Sequence, residues 1–94
     1  MSSVRGLKKD IDYLVNEVIS DCYVSLYFNG EKKKDAVVAI INEVVELHNS
    51  LIYRVNHPAE KKNRSLVKKH YAQIRRDLFS AIDSMFVKLS EVCK

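Results

Sequence analysis

The sequence contains very few of the residues that normally make a polypeptide chain turn. Its 94 residues include two glycines and one proline, and tryptophan is absent. A β-sandwich or β-barrel joins many short strands through turns that use glycine, asparagine or proline. The shortage of turn residues therefore argues against a fold of many short elements and predicts a few long ones.

Motifs for cofactor binding, metal binding and membrane insertion are also missing. Three histidines and two cysteines lack the Cys-x2-Cys and His-x3-His spacings of zinc sites, and no glycine-rich phosphate loop is present. No apolar run approaches the roughly 18 residues of a membrane span, and the first residues do not resemble a secretory signal. We expect no metal, cofactor or small-molecule ligand, no membrane insertion, and a cytoplasmic location.

The two cysteines, Cys22 and Cys93, are expected to be reduced thiols, because the cytosol does not maintain structural disulfides. Both lie toward the same end of the predicted fold, so the geometry leaves a disulfide open. The balance of 47% hydrophobic and 30% charged residues is that of a globular protein. We predict a single domain over residues 1–94.

Two breaks divide the chain into three segments with helical periodicity. Asn29-Gly30 is typical of a helix end, and His57-Pro58 marks another because the residue before proline avoids helical geometry. Apolar residues recur at spacings of three and four in every segment. This pattern predicts an all-α fold, with helices over roughly 3–28, 31–56 and 64–93. Short connections favour three long antiparallel helices in an up-down-up bundle.

Residues 22–28 have a composition that also suits a β-strand. Their sequence, Cys-Tyr-Val-Ser-Leu-Tyr-Phe, is rich in aromatic and β-branched side chains. A strand here would have no obvious partner of similar character. We predict a helix for this segment, with the strand as the open alternative.

Basic residues gather at one end of the predicted bundle, and the chain has a formal charge of +4. The antiparallel order brings together the start of helix 1, the end of helix 2 and the start of helix 3. Such an end could neutralise phosphates, although a cluster of solvated lysines also accounts for it. The candidate residues for polyanion binding are Arg5, Lys8, Lys9, Lys61, Lys62, Arg64, Lys68 and Lys69.

An aromatic cluster lies toward the opposite end and off the main apolar stripe of helix 1. It consists of Tyr23, Val24, Tyr27 and Phe28. Either the connection between helices 1 and 2 folds over these side chains, or they form an interface, since aromatic residues are enriched in interface cores. The broad apolar face of helix 2 would also suit a further partner.

One histidine lies in the centre of that broad face. His48 falls between apolar positions of helix 2, at a level close to Tyr71 on helix 3. A buried imidazole must find hydrogen-bond partners. We predict that His48 and Tyr71 are buried polar residues, with the histidine bonded to a tyrosine hydroxyl or a backbone carbonyl.

Two resemblances to known proteins are short. Arg64-x5-His70 resembles the Arg-x4-6-His element of HEPN-type ribonucleases, which implies that the pair would attend a scissile phosphate. Residues 4–11 (Val-Arg-Gly-Leu-Lys-Lys-Asp-Ile) and 66–71 (Leu-Val-Lys-Lys-His-Tyr) are similar to small bacterial all-helical proteins without an assigned activity. The second resemblance implies a helical fold and no activity.

The sequence favours a non-enzymatic helical interaction module without a cofactor, which either self-associates or binds a protein partner. The second hypothesis is binding of nucleic acid or another polyanion through the cationic end. The two differ in salt dependence, because phosphate binding weakens steeply as the salt concentration rises.

Overall fold

The computed structural model describes residues 3–58 and 62–93, and nearly all of them are helical. The elements are α1 (Ser3–Asn29), a 3-10 turn (Gly30–Lys33), α2 (Lys34–Asn56) and α3 (Arg64–Val92). No strand occurs in these ranges, which confirms the all-α prediction. Residues 22–28 lie inside α1, so the strand alternative for this segment is wrong.

The prediction of three separate helices needs correction, because α1 and α2 are arms of one continuous helical stretch. Helical conformation runs through residues 3–56 without a non-helical connection, and only α3 is set apart. A straight helix over Val4–Asn56, 53 residues long, would measure about 80 Å. The longest dimension of the molecule is 51 Å, so the stretch folds back on itself.

The fold-back occurs at a residue that suits it. Gly30 has a φ of 62°, in the left-handed region that glycine enters without the Cβ penalty of other residues. The chain then continues through the 3-10 turn directly into α2. A short helical turn therefore stands at the position where Asn29-Gly30 predicted a break between two helices.

Length and apolar composition alone would allow the stretch Val4–Asn56 to cross a membrane. Core helices of soluble proteins meet the same two criteria. Because the stretch reverses at Gly30, its apolar residues are divided between two arms that pack against each other and against α3.

Contacts between side chains show how the helices run. Between α1 and α2, and between α2 and α3, residues nearer the start of one helix contact residues nearer the end of the other. Between α1 and α3, early residues contact early residues and late residues contact late ones. The pairs are Asp12–His48, Glu43–Lys88, Arg54–Asp77, Asp10–Arg75 and Ser25–Cys93. α2 is therefore antiparallel to both neighbours, and α3 runs alongside α1.

Apolar side chains from all the helices meet along the axis of the molecule. Several are completely inaccessible, among them Ile11 and Val18 of α1, Val44 of α2 and Leu78 of α3. Their spacings of three, four and seven residues put one face of each helix in the core. Burying each such side chain contributes about 1.5–3 kcal/mol, so this shared core is the main source of stability.

The start of α3 is fixed by a side-chain cap. The Asn63 side-chain oxygen accepts a hydrogen bond of 3.2 Å from the backbone N–H of Leu66. Asparagine is among the preferred residues at this position, because its side chain satisfies an N–H group that has no partner within the helix. The cap holds the basic beginning of α3 in a defined place.

Candidate interaction surfaces

The four residues Tyr23, Val24, Tyr27 and Phe28, here called the aromatic patch, are exposed at the end of α1. Tyr27 is 84% and Phe28 77% exposed, and more than half of each of the other two side chains is accessible. The 3-10 turn does not cover them, contrary to the interpretation that the connection folds over this cluster. None of the described residues covers the patch, and it therefore faces solvent.

The aromatic patch has internal order. The rings of Tyr27 and Phe28 meet edge to face, with centroids 5.2 Å apart and an angle of 85° between the ring planes. This is a favoured geometry for aromatic pairs, because the positive edge of one ring meets the negative face of the other. Tyr23 precedes Tyr27 by one helical turn, as Val24 precedes Phe28, so the patch consists of two short parallel rows.

Apolar exposure continues from α1 onto α2. Val38 and Val45 are 38% and 43% exposed, and their seven-residue spacing puts them on the same side of α2. The Asp12–His48 contact sets the register between the arms. Moving 11 residues along both arms toward Gly30 places Tyr23 level with Val37, the residue next to exposed Val38. Val38 therefore extends the apolar surface from the end of α1 onto α2, whereas Val45 is level with Val15 and lies further from the patch.

A small polar cluster under the aromatic patch joins the ends of α1 and α3. The Ser25 hydroxyl lies 3.0 Å from the Cys93 sulfur. The Asn29 amide donates to the Ser25 carbonyl at 2.9 Å and to its hydroxyl at 3.2 Å. Ser25 is the only buried polar residue in the described ranges. These contacts link the end of α1, which carries the aromatic patch, to the end of α3.

The two cysteines are free thiols with different surroundings. Cys22 is buried and Cys93 is exposed. Burial raises the pKa of the Cys22 thiol, and the neighbouring Asp21 and Cys93 add to the shift. Because the thiolate is the reactive form, this shift makes Cys22 a poor nucleophile at neutral pH. Its role in the structure is packing.

The predicted basic residues are on the surface at the other end. Lys8 is half-buried and Lys61 lies outside the described residues. The remaining members are exposed, namely Arg5, Lys9, Lys62, Arg64, Lys68 and Lys69. This set is called the basic end below.

Acidic side chains next to the basic end are paired with arginines. Arg75 binds the Asp10 carboxylate, and Arg54 lies 2.9 Å from Asp77. The pKa of the Asp77 carboxyl is lowered mainly by a hydrogen bond from Gln73 and, to a smaller extent, by the contact with Arg54. Both carboxylates are therefore used in contacts between helices and do not neutralise the exposed lysines.

The prediction that His48 and Tyr71 are buried polar residues is wrong. Both are half-buried, and they do not bond to each other. The His48 Nε2 atom lies 2.8 Å from Asp12 Oδ1 on α1, whereas the Tyr71 hydroxyl donates to the Val55 carbonyl at 3.2 Å. His48 points toward the edge of the α1–α2 contact, where a carboxylate and water are both accessible.

We expect the His48→Leu variant to be as stable as the parent within about 1 kcal/mol. The lost His48–Asp12 contact is partly exposed, and exposed polar or charged pairs contribute about 0–1 kcal/mol. Leucine would instead extend the neighbouring apolar face of α2. Chemical denaturation of both proteins measures the difference. A loss well above 2 kcal/mol would show that the His48–Asp12 contact is required for the fold.

The structure does not bring together the residues that resemble the HEPN element. Arg64 is exposed at the first position of α3, and His70 directs Nε2 to the Arg54 carbonyl at 2.7 Å. No hydrogen bond or ion pair joins Arg64 to His70, although both lie in the described ranges. Residues 3–58 and 62–93 also contain no group of three potential metal ligands and no buried side-chain nitrogen or oxygen without a partner.

No protein-family model, curated protein or solved structure matches this chain. What the protein does must therefore be inferred from its own side chains. Among the described residues, the aromatic patch and the basic end are two surfaces that depart from an ordinary solvated helix.

Proposed function

We propose that this protein is a non-enzymatic helical interaction module that binds a second copy of itself through the aromatic patch. The observation that carries the proposal is the exposure of Tyr27 and Phe28, at 84% and 77%. Soluble monomers rarely expose contiguous apolar patches of this kind, and aromatic residues are enriched where interfaces are fully buried.

The area of the surface fits a small two-fold interface. An aromatic side chain can bury about 150 Å² or more. The three aromatic residues of the patch, together with Val24 and Val38, give each chain on the order of 600 Å² of apolar surface. This is the lower limit for one side of a stable interface. A second copy is the simplest partner, since in a two-fold dimer each patch packs against its equivalent.

The charge distribution is compatible with a dimer that forms through the aromatic patches. The basic end lies away from the aromatic patch, and the three lysines near the patch, Lys32 to Lys34, are flanked by Glu31 and Asp35. Two copies can therefore meet at their patches without bringing the basic ends together. A cytoplasmic location is part of the proposal, because reducing conditions maintain free thiols such as Cys22 and Cys93.

The double variant Tyr27→Ser/Phe28→Ser is expected to weaken self-association at least about 100-fold. Central aromatic residues of an interface typically contribute 2 kcal/mol or more each. Both side chains are exposed in the single chain, so their removal should leave its fold intact. Sedimentation equilibrium of parent and variant measures the dissociation constant of the dimer.

The matched control is Tyr13→Ser/Val87→Ser, which changes two exposed apolar residues outside the patch. This variant has a similar loss of helix propensity and also removes exposed apolar side chains, and it should associate like the parent. Equal weakening by both double variants, or a parent that stays monomeric at millimolar concentration, would contradict the proposal.

The alternative function is binding of nucleic acid or another polyanion at the basic end. It is supported by exposed Arg5, Lys9, Lys68 and Lys69, whose charges the described carboxylates do not neutralise. Binding of labelled RNA or DNA would weaken steeply with salt, with a slope of about 0.9 or less for each phosphate neutralised. Self-association through apolar side chains would instead be insensitive to salt, which separates the two functions.

A further inference from the structure

A groove of about 440 Å³ lies between the beginning of α1 and the first half of α3. Its apolar wall is formed by Leu7, Tyr71, Ala72 and Phe79. The Tyr71 hydroxyl is directed away to the Val55 carbonyl, so the ring contributes mainly apolar surface. Phe79 is 52% exposed. The groove therefore offers an apolar binding surface of the size typical for small ligands.

Cations surround this apolar wall. The groove is also lined by Lys68, Arg75 and Arg76. Arg75 is held by Asp10, which fixes its guanidinium at the boundary between α1 and α3. Lys68 has no ion-pair partner among the described residues, and Arg76 makes one long hydrogen bond to Gln73 at 3.4 Å. Lys68 and Arg76 are thus available to an anion.

An apolar wall bordered by cations favours one class of ligand over others. A nucleic acid presents regularly repeated phosphates and needs an extended basic surface, whereas most of the groove wall is apolar. An uncharged apolar molecule would make no ionic contact with Lys68 or Arg76. A molecule with an apolar body and a single anionic head would satisfy both parts.

We infer that the groove binds a small anionic amphiphile, such as a medium-chain carboxylate, with its apolar body on Phe79 and Tyr71. Lys68 and Arg76 bind the anionic head, and Arg75 is a positioning residue at the α1–α3 boundary. The inference is independent of the proposed self-association, because the groove and the aromatic patch lie at opposite ends of α1.

Isothermal titration with decanoate tests the inference, with decanol and acetate as matched probes. Decanoate should bind with a dissociation constant below about 1 mM, and decanol and acetate at least about tenfold more weakly. A fully buried methylene is worth about fourfold in affinity, so hexanoate should also bind clearly more weakly than decanoate. No binding of decanoate at about 1 mM would overturn the inference.

Two variants locate the site. Lys68→Gln/Arg76→Gln should weaken decanoate binding about tenfold and leave decanol binding unchanged, since only the head contacts are lost. Phe79→Ser should weaken the binding of both. The control Lys32→Gln/Lys34→Gln removes two exposed lysines far from the groove and should bind decanoate like the parent. If Lys68→Gln/Arg76→Gln and Phe79→Ser also bind decanoate like the parent, the groove is not the site.

Discussion

Replacing Leu78 with alanine is expected to lower the free energy of unfolding by about 3 kcal/mol. Leu78 is completely inaccessible in α3, where the core faces of α1 and α2 meet it. Leucine-to-alanine changes in a core typically cost 2–5 kcal/mol, from lost burial and from the cavity that remains. Since small domains are stable by only about 5–15 kcal/mol, this one change would remove a large part of the total.

Urea denaturation followed by circular dichroism measures this loss. The control is Ser80→Ala, an exposed position on α3, which should change stability by no more than about 0.5 kcal/mol. A loss below about 1 kcal/mol for Leu78→Ala would mean that α3 does not pack as the structure shows. The shared core, and with it the position of both candidate surfaces, would then need revision.

Replacing Val24 with proline is expected to destabilise the protein by about 3 kcal/mol or more. Val24 is exposed, so the side chain itself contributes little to the core. Proline in the interior of α1 removes one backbone hydrogen bond and clashes with the carbonyl one turn earlier. The change therefore tests the helical state of residues 22–28, whose composition also suited a strand.

The matched control is Val24→Ala, which retains the backbone hydrogen bond and has a higher helix propensity. It should be as stable as the parent or slightly more stable in thermal unfolding. If the proline and alanine variants unfold at the same temperature, residues 22–28 are not in the interior of a helix.

Local chemistry made the all-α class, the reversal at Gly30 and the end of α2 predictable. Gly30 allows a positive φ that other residues avoid, and Pro58 restricts the residue before it, so both positions can be inferred without knowledge of packing. The continuous 3-10 connection could not be predicted in the same way. Residues 31–33 have no residue type that distinguishes a helical turn from a loop, and the packing of the two arms decides between them.

Contacts between helices explain why the predicted burial of His48 and Tyr71 was wrong. The periodicity of α2 correctly placed His48 near its apolar face, but it could not show which residue of α1 lies opposite. The register between the arms brings Asp12 within 2.8 Å, and this contact draws the imidazole to the surface. Tyr71 bonds to a backbone carbonyl, an acceptor that every residue carries and that no sequence pattern marks.

The candidate surfaces were predictable to different degrees. The position of the aromatic patch followed from the helical wheel of α1, but its exposure depended on the path of the connection to α2. The groove beside Phe79 could not be predicted from the wheel of any single helix. It exists because Leu7 of α1 lies beside Tyr71 and Phe79 of α3, and that neighbour relation comes only from the fold.

Hydroxyl-radical footprinting of the parent protein at low and high concentration tests the proposed self-association most directly. We expect Tyr27 and Phe28 to be labelled in dilute solution and protected when the protein is concentrated. Tyr53, which is 62% exposed and outside the aromatic patch, should be labelled equally in both. Equal labelling of Tyr27 and Phe28 at both concentrations would contradict self-association through the aromatic patch.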